Sequence, residues 1–289
     1  MNRQHILPQI LLRLWPFRRG ITYIIHRCFL RLKFDTEVAS VRSTDGFTIK
    51  VLPNEIIGRH IYLTGEFERS IVELLLKFSK PADVLLDIGA HIGYVSACFL
   101  QNVPRSKVVA VEPQPQIVDL LQSNLKSFGD DRYNVFSVGI SDHDTPGWLE
   151  ICDWNRGASK IVDKPNSHTV KIQLWSAQRL FASIKGSKID LIKIDAEGHE
   201  EAILKACKTE LGLLRPRVIL FEDLTQSAAP DGSIGRIFRS IRYRVFGVRR
   251  RLIRLDLVPI SSARDCIYTD YLAVPYDVED STLPLKVST

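Results

Sequence analysis

Three groups of acids and glycines have the types and spacing for chemistry on a nucleotide-like ligand. In VLLDIGAHIG, residues 84–93, an apolar run carries Asp87 and leads into Gly89 and Gly93, four positions apart. A second apolar run, 108–111, ends in Glu112 and Pro113. In LIKIDAEGHE, residues 191–200, a third run ends in Asp195, with Glu197, Gly198 and His199 close behind. Carboxylates accept hydrogen bonds from hydroxyls and amines, and a carboxylate or imidazole can take a proton. Glycines let a ligand approach the backbone.

The elements that must position these groups read as strands followed by helices. Residues 84–88 are continuously apolar around Asp87, as in a strand covered on both faces. Gly89 and Gly93 allow a tight turn, and helix-compatible residues resume at Tyr94. Strand, glycine turn and helix together hold a cofactor at the carboxyl end of a sheet. An acid at the tip of the next strand, about 20 residues past the turn, accepts from ribose hydroxyls in both nicotinamide and S-adenosylmethionine sites. The turn lacks the G-x-G-x-x-G of dinucleotide binders. Asp87, two positions before the first glycine, suits S-adenosylmethionine better, because a carboxylate there can sit near the cationic end of that molecule.

With Asp87–Gly93, Glu112-Pro113 and Lys193–Glu200 in order, the chain resembles the FkbM family of S-adenosylmethionine-dependent methyltransferases. Smaller echoes are residues 65–68, 139–142 and 220–222, and the resemblance covers roughly residues 63–274. It implies a class I methyltransferase fold: α/β, Rossmann-like and doubly wound. The mostly parallel sheet would have seven strands with an antiparallel closing strand. It also implies O-methylation of a hydroxyl on a sugar, glycan, glycolipid or secondary metabolite. By resemblance, Asp87, Gly89, Ala90, His91 and Gly93 surround the methionine part of the cofactor. Glu112, with Pro113, holds the ribose, and Asp142 lies by the adenine with support from Ser141. His91 stands where the family more often has asparagine. Asp195 falls where the transferred methyl and the acceptor meet. The base could be Asp195, Glu197 or His199; acids at a helix start are also favoured by its dipole alone. No metal is expected.

Composition narrows the classes. The chain has 289 residues, a net charge of +6 and the apolar fraction of a globular protein. Its five cysteines are scattered without C-x-x-C pairs, against a disulfide framework or zinc site and for a reducing, cytoplasmic location. Seven Arg or Lys and no acid precede Asp35, and a second Arg cluster spans 236–254. Uneven basic charge fits nucleic acid, anionic lipid, an acidic substrate or a solvated surface. Aromatics near the second cluster are few, so nucleic acid is not the expected partner.

Three parts follow. Residues 1–62 form an N-terminal extension. Within it, 1–34 is apolar and basic (Ile10, Leu11, Leu12, Leu14, Trp15 and Phe17 among Arg13, Arg18 and Arg19), and 37–52 reads as a hairpin turning at Asp45-Gly46. No run in 1–34 is long enough to span a membrane. The segment is either an interfacial helix on anionic membrane at the inner surface or a helix packed on the domain. Residues 63–276 form the methyltransferase domain. In it 148–174 is an inserted β excursion, 225–235 a polar mobile loop, and 242–248 with 269–274 a closing antiparallel pair. Residues 277–289 read as a loose tail. Other readings are a nucleic-acid methyltransferase, a membrane-surface scaffold that keeps the fold without catalysis, and a nicotinamide oxidoreductase.

Overall fold

In a computed structural model the protein is described over residues 3–14, 21–29, 32–184, 188–252 and 254–288. Trp15, Phe17, Arg18 and Arg19 of the basic N-terminal segment lie outside the described residues. The helix Arg3–Arg13 packs on the helix Ile56–Thr64. Leu12 is buried with Ile25 and Leu63, and Gln9 Nε2 donates to the Tyr62 carbonyl at 3.0 Å. Ile10, Leu11 and Leu14 remain exposed. The expected hairpin forms from β1 (Ala39–Arg42) and β2 (Thr48–Val51). Its alternate residues Val41, Ile49 and Val51 enter the core.

The chain then alternates strands and helices. β3 (Val84–Ile88), β4 (Lys107–Val111) and β5 (Tyr133–Phe136) run parallel to one another. At Ser137-Val138 the chain leaves for a second sheet of β6 (Gly139–Ser141), β7 (Thr145–Glu150), β8 (Lys160–Val162) and β9 (Thr169–Ser176). It returns as β10 (Leu191–Ile194), β11 (Val218–Glu222), β12 (Tyr243–Arg250), β13 (Leu255–Pro259) and β14 (Asp270–Pro275). The main sheet has the order β13-β12-β14-β11-β10-β3-β4-β5, with the last five strands parallel. Neighbouring residues of one strand serve opposite faces. Leu85 packs toward the helices Arg69–Phe78, Tyr94–Asn102 and Pro115–Leu125, while Leu86 packs toward Ala177–Ser183, Glu200–Ala206 and Ser233–Ser240. This is the expected doubly wound architecture.

Three details differ from the sequence expectation. The sheet has eight strands, not seven. The eighth, β13, lies in the stretch that reads as an Arg-rich connection. Its Asp256 is fully buried, and Arg251 Nε and Arg254 Nε both reach its carboxylate, the latter at 3.1 Å. Those arginines stay exposed at the surface while their nitrogens neutralise the buried acid. Likewise Arg250 pairs with Asp270, and Arg244 with Asp280 at 2.6 Å. Secondly, residues 135–140, whose apolar run reads as one strand, are divided between β5 and β6. A Cβ on Gly139 would lie 2.7 Å from Leu174 Cδ2, so the bare glycine lets β6 pack on the insertion. Thirdly, the tail is tied down: Leu257 N donates to the Lys286 carbonyl at 2.9 Å and Ser288 N to the Leu257 carbonyl at 2.8 Å. After β11 the backbone winds around buried Asp223, which accepts from the amides of Thr225 (2.8 Å) and Ala228 (2.7 Å).

Candidate active site

The carboxyl ends of β3 and β10 lie side by side, with Asp87 opposite Lys193 and Ile88 opposite Ile194. The two turns that follow therefore touch. Gly89 has φ +78°, and a Cβ there would lie 1.7 Å from the Asp195 carbonyl oxygen. The amides of Gly89 and Ala90 both donate to the Val111 carbonyl, at 2.9 and 3.1 Å, which ties this turn to β4. His91 is also left-handed, at φ +48°. Its amide donates to Glu112 Oε2 at 2.9 Å, while Glu112 Oε1 accepts from the Gln114 amide at 2.9 Å. Glu112 is buried, and burial pushes its carboxyl up to about 7 against the pull of these two amides. Each oxygen keeps a lone pair for a ligand hydroxyl. Gly93, φ +82°, opens the helix Tyr94–Asn102.

These turns enclose one pocket of about 960 Å³ of atom-free space, counting the solvent at its mouth. Gly89, Ala90, His91, Glu112 and Pro113 line it from β3 and β4, and Asp195, Glu197 and His199 from β10. Asp87 is wholly buried behind the wall, accepting from Ser96 Oγ at 2.7 Å. Gly93 also stays behind the wall. Ser141 and Asp142 do not line the pocket; the wall there is Val138, Gly139 and Ile140. Ser141 Oγ donates to Asp142 Oδ1 at 3.1 Å, and the Asp142 side chain is exposed beside His143.

Sequence reasoning does not single out four further lining residues. Lys193 is buried, with Nζ 3.2 Å from Asp195, 3.7 Å from Asp87, 3.9 Å from Glu68 and 3.5 Å from the Gly89 carbonyl. Burial works against its charge, but the carboxylates of Asp195, Glu68 and Asp87 raise it further above its ordinary value. Glu68 reaches the same ammonium from the start of the helix Arg69–Phe78. Gln114 is buried, and its Nε2 has no partner among the described residues. Arg156 comes from the β insertion and donates to Gln116 Oε1 at 3.0 Å. Lys193 and Glu68 stand inside stretches that carry the family resemblance, and Gln114 directly follows Glu112-Pro113. Nothing in the sequence marks Arg156.

The three possible bases differ. Burial works to raise the Asp195 carboxyl, but neighbouring Lys193 holds it below its usual range, making it a weak base. Glu197 sits at φ +50°, a strained position for a non-glycine residue. Glu200 Oε1 secures that turn by accepting from the amides of Ala196 (2.7 Å) and Gly198 (3.2 Å). Burial, then the charges of Asp195 and Glu200, push Glu197 up to about 7. His199 is lowered by burial, is engaged by a hydrogen bond to the Ile140 backbone, and leaves Nε2 unpartnered. Beyond them, burial and the charges of Asp195 and Asp270 push Glu222 up to about 8. Its carboxylate lies within 4.8 Å of those of Asp195 and Glu200.

The sequence profile of the methyltransferase FkbM domain matches residues 87–246. The chain is 30% identical over 162 residues to the 2-O-methyltransferase NoeI of Sinorhizobium fredii, covering 50% of this chain and 63% of that protein. It is 28% identical over 144 residues to the hexuronic acid methyltransferase AglP of Haloferax volcanii, covering 50% and 58%. It thus spans less than two thirds of either relative's length. The crystal structure of an O-methyltransferase from Bacillus cereus in complex with SAH aligns over 72% of this chain and 80% of that one, at 16% identity and a TM-score of 0.41.

Proposed function

The chain belongs to the FkbM methyltransferase family, and we propose that it methylates a hydroxyl of a sugar or glycan with S-adenosylmethionine as donor. The observation that carries this reading is a pocket that joins the glycine turn and the buried acid Glu112 to the acids Asp195 and Glu197. The residues suit an adenosyl donor. Glu112 would hold the ribose, and the unpartnered Gln114 Nε2 offers a donor for the base. Val138, Ile140, Leu149 and Ile161 supply apolar walls. Ala90 and His91 would face the methionine end, with Gly89 and Gly93 shaping the turn. In this reading Ile140 serves the adenine side, while Ser141 and Asp142 lie beyond it. Asp87 acts from behind, through Ser96 and Lys193. The names of the relatives, a 2-O-methyltransferase and a hexuronic acid methyltransferase, favour a sugar acceptor.

When bound, the donor supplies an electrophilic methyl on a cationic sulfur. An acceptor hydroxyl that took that methyl would have to give up its proton to a residue of the pocket. Glu197 fits that role best: it lines the pocket, its turn is held in a strained conformation, and a proton affinity near neutrality suits a base. We expect tritium from methyl-labelled donor to appear in a hexose or hexuronic acid glycoside from a panel of both. Glu197→Gln should lower kcat by ~10²–10⁴ with little change in donor affinity. Wild-type kcat/KM for the acceptor, at saturating donor, should rise with pH through about 7, as Glu197 ionises, and the variant should lose that limb. A variant with wild-type kcat would remove Glu197 from the mechanism.

A second reading concerns residues 1–34. Exposed Ile10, Leu11 and Leu14, beside seven Arg or Lys and no acid, support peripheral binding to an anionic bilayer. Among the described residues no helix is long and apolar enough to cross a membrane. The full chain should sediment with vesicles of phosphatidylcholine and phosphatidylglycerol, but not with phosphatidylcholine alone. Ile10→Asp with Leu14→Asp should abolish that binding; no sedimentation of the unmodified chain with either vesicle would end the idea.

A further inference from the structure

Glu68, Lys193 and Asp195 share one corner of the pocket, and their charges do not balance. One buried ammonium faces the carboxylates of Asp195 (3.2 Å), Asp87 (3.7 Å) and Glu68 (3.9 Å). Glu68 and Asp195 thus share one ammonium from two different elements. Three carboxylates around one cation leave an excess of negative charge, which a proton on one of them relieves. Asp195 is the closer to Lys193 and is held below its ordinary range, which leaves Glu68 as the protonated partner. Burial, with Asp195 and Asp270 nearby, pushes Glu68 up to about 8 despite Lys193. Of the other groups around this pocket, Arg156 is the remaining cation and is turned to Gln116 Oε1 at 3.0 Å. His91 is lowered to about 4 and is therefore neutral, Asp270 is paired with Arg250, and Glu197 and Glu222 are acids. The unpartnered Nε2 of buried Gln114 in the same pocket marks it as built for a ligand.

We propose that Glu68 senses the charge of the donor: in the empty pocket it carries a proton, and a cation bound in the pocket expels that proton into solvent. This rests on the reading of the pocket as an S-adenosylmethionine site. A sulfonium in the pocket adds the positive charge that the corner lacks, so the ionised form of Glu68 becomes the favoured one. After methyl transfer the sulfur is neutral, the excess negative charge returns, and Glu68 takes a proton back from water. The pocket thereby distinguishes donor from spent product by charge, although the two differ by only one methyl group.

The linkage fixes the sign. Glu68 is mostly protonated below about pH 8, so binding that requires its ionised form strengthens as pH rises, by up to ~tenfold per unit, and levels off above that pH. Binding of the neutral product lacks this slope.

The test is calorimetric titration of the full chain at about pH 7 in two buffers of different ionisation enthalpy, which counts protons released per ligand bound. The ligands are S-adenosylmethionine, S-adenosylhomocysteine and sinefungin, whose ammonium replaces the sulfonium methyl. We expect the two cationic ligands to release close to one proton more than S-adenosylhomocysteine, and Glu68→Gln to abolish that difference while still binding S-adenosylhomocysteine. Glu68 makes no capping hydrogen bond to its helix, so the amide should leave the fold in place. Equal proton counts for all three ligands in the unmodified chain would overturn the proposal while leaving the donor reading intact. A difference that persists in Glu68→Gln would also overturn it. Binding of none of the three would remove the donor reading, and the proposal with it.

Discussion

Gly89→Ala abolishes donor binding and lowers stability by several kcal/mol. The added Cβ would lie 1.7 Å from the backbone oxygen of Asp195, a distance no contact tolerates. Neither side can easily yield. The Gly89 amide is bonded to the Val111 carbonyl at 2.9 Å, and the Asp195 amide to the Ile88 carbonyl at 3.0 Å. The left-handed backbone at φ +78° adds roughly 1–2 kcal/mol for any residue with a Cβ. Overpacking adds ~1–3 kcal/mol or more. Whatever shift relieves the clash moves Asp195, and with it the Lys193 and Glu68 corner. Guanidinium unfolding and titration with S-adenosylhomocysteine check both halves. Gly198→Ala is the control: φ is +90°, but no atom lies within 4 Å of its Cβ position. It should show only the backbone strain of about 1–2 kcal/mol and keep the pocket. Full ligand affinity in Gly89→Ala would mean that the two turns are not packed as described.

That contrast shows what the residues alone could reveal. The need for glycine at position 89 is visible, because an apolar strand must turn before a helix. That the adjacent turn is the one bearing Asp195 is a property of strand order. β3 and β10 are neighbours in the sheet but are separated in the chain by β4, β5 and the whole β insertion, so nothing local announces their contact. The same holds for Lys193. In a run of four buried residues it reads as an interruption of a strand, and its partners Glu68 and Asp87 come from other elements. Glu112 was legible because acid, proline and spacing act locally. Asp142 and Ser141 were carried over by resemblance to a loop whose side chains project outward here. The Arg cluster near β13 is at the surface, as its charge suggests, with Arg251 and Arg254 exposed. What its sequence does not announce is the partner, Asp256, which is buried in the strand beside it.

Lys193→Met tests the electrostatic centre of the site directly. Methionine keeps an unbranched chain of similar length, so packing changes little, but Asp87, Asp195 and Glu68 lose their shared cation. Removing one partner of a buried ionic group costs ~3–5 kcal/mol, because the remaining charges stay desolvated. The loss should depend on pH. With Lys193 present, the depressed Asp195 carboxyl contributes stability above its unfolded range, and that contribution fades as pH falls through its folded value. Without it, burial raises the carboxyls, the folded state binds more protons than the unfolded one, and stability falls as pH rises. The difference between the two proteins should therefore be largest at neutral pH and above, and shrink toward about pH 4. Guanidinium midpoints across that range measure it, and a pH-independent difference would mean that Lys193 acts by packing alone. A second readout separates charge from packing more sharply. A corner stripped of its ammonium is more negative, so cationic S-adenosylmethionine should gain affinity relative to neutral S-adenosylhomocysteine. A packing defect would weaken both ligands alike.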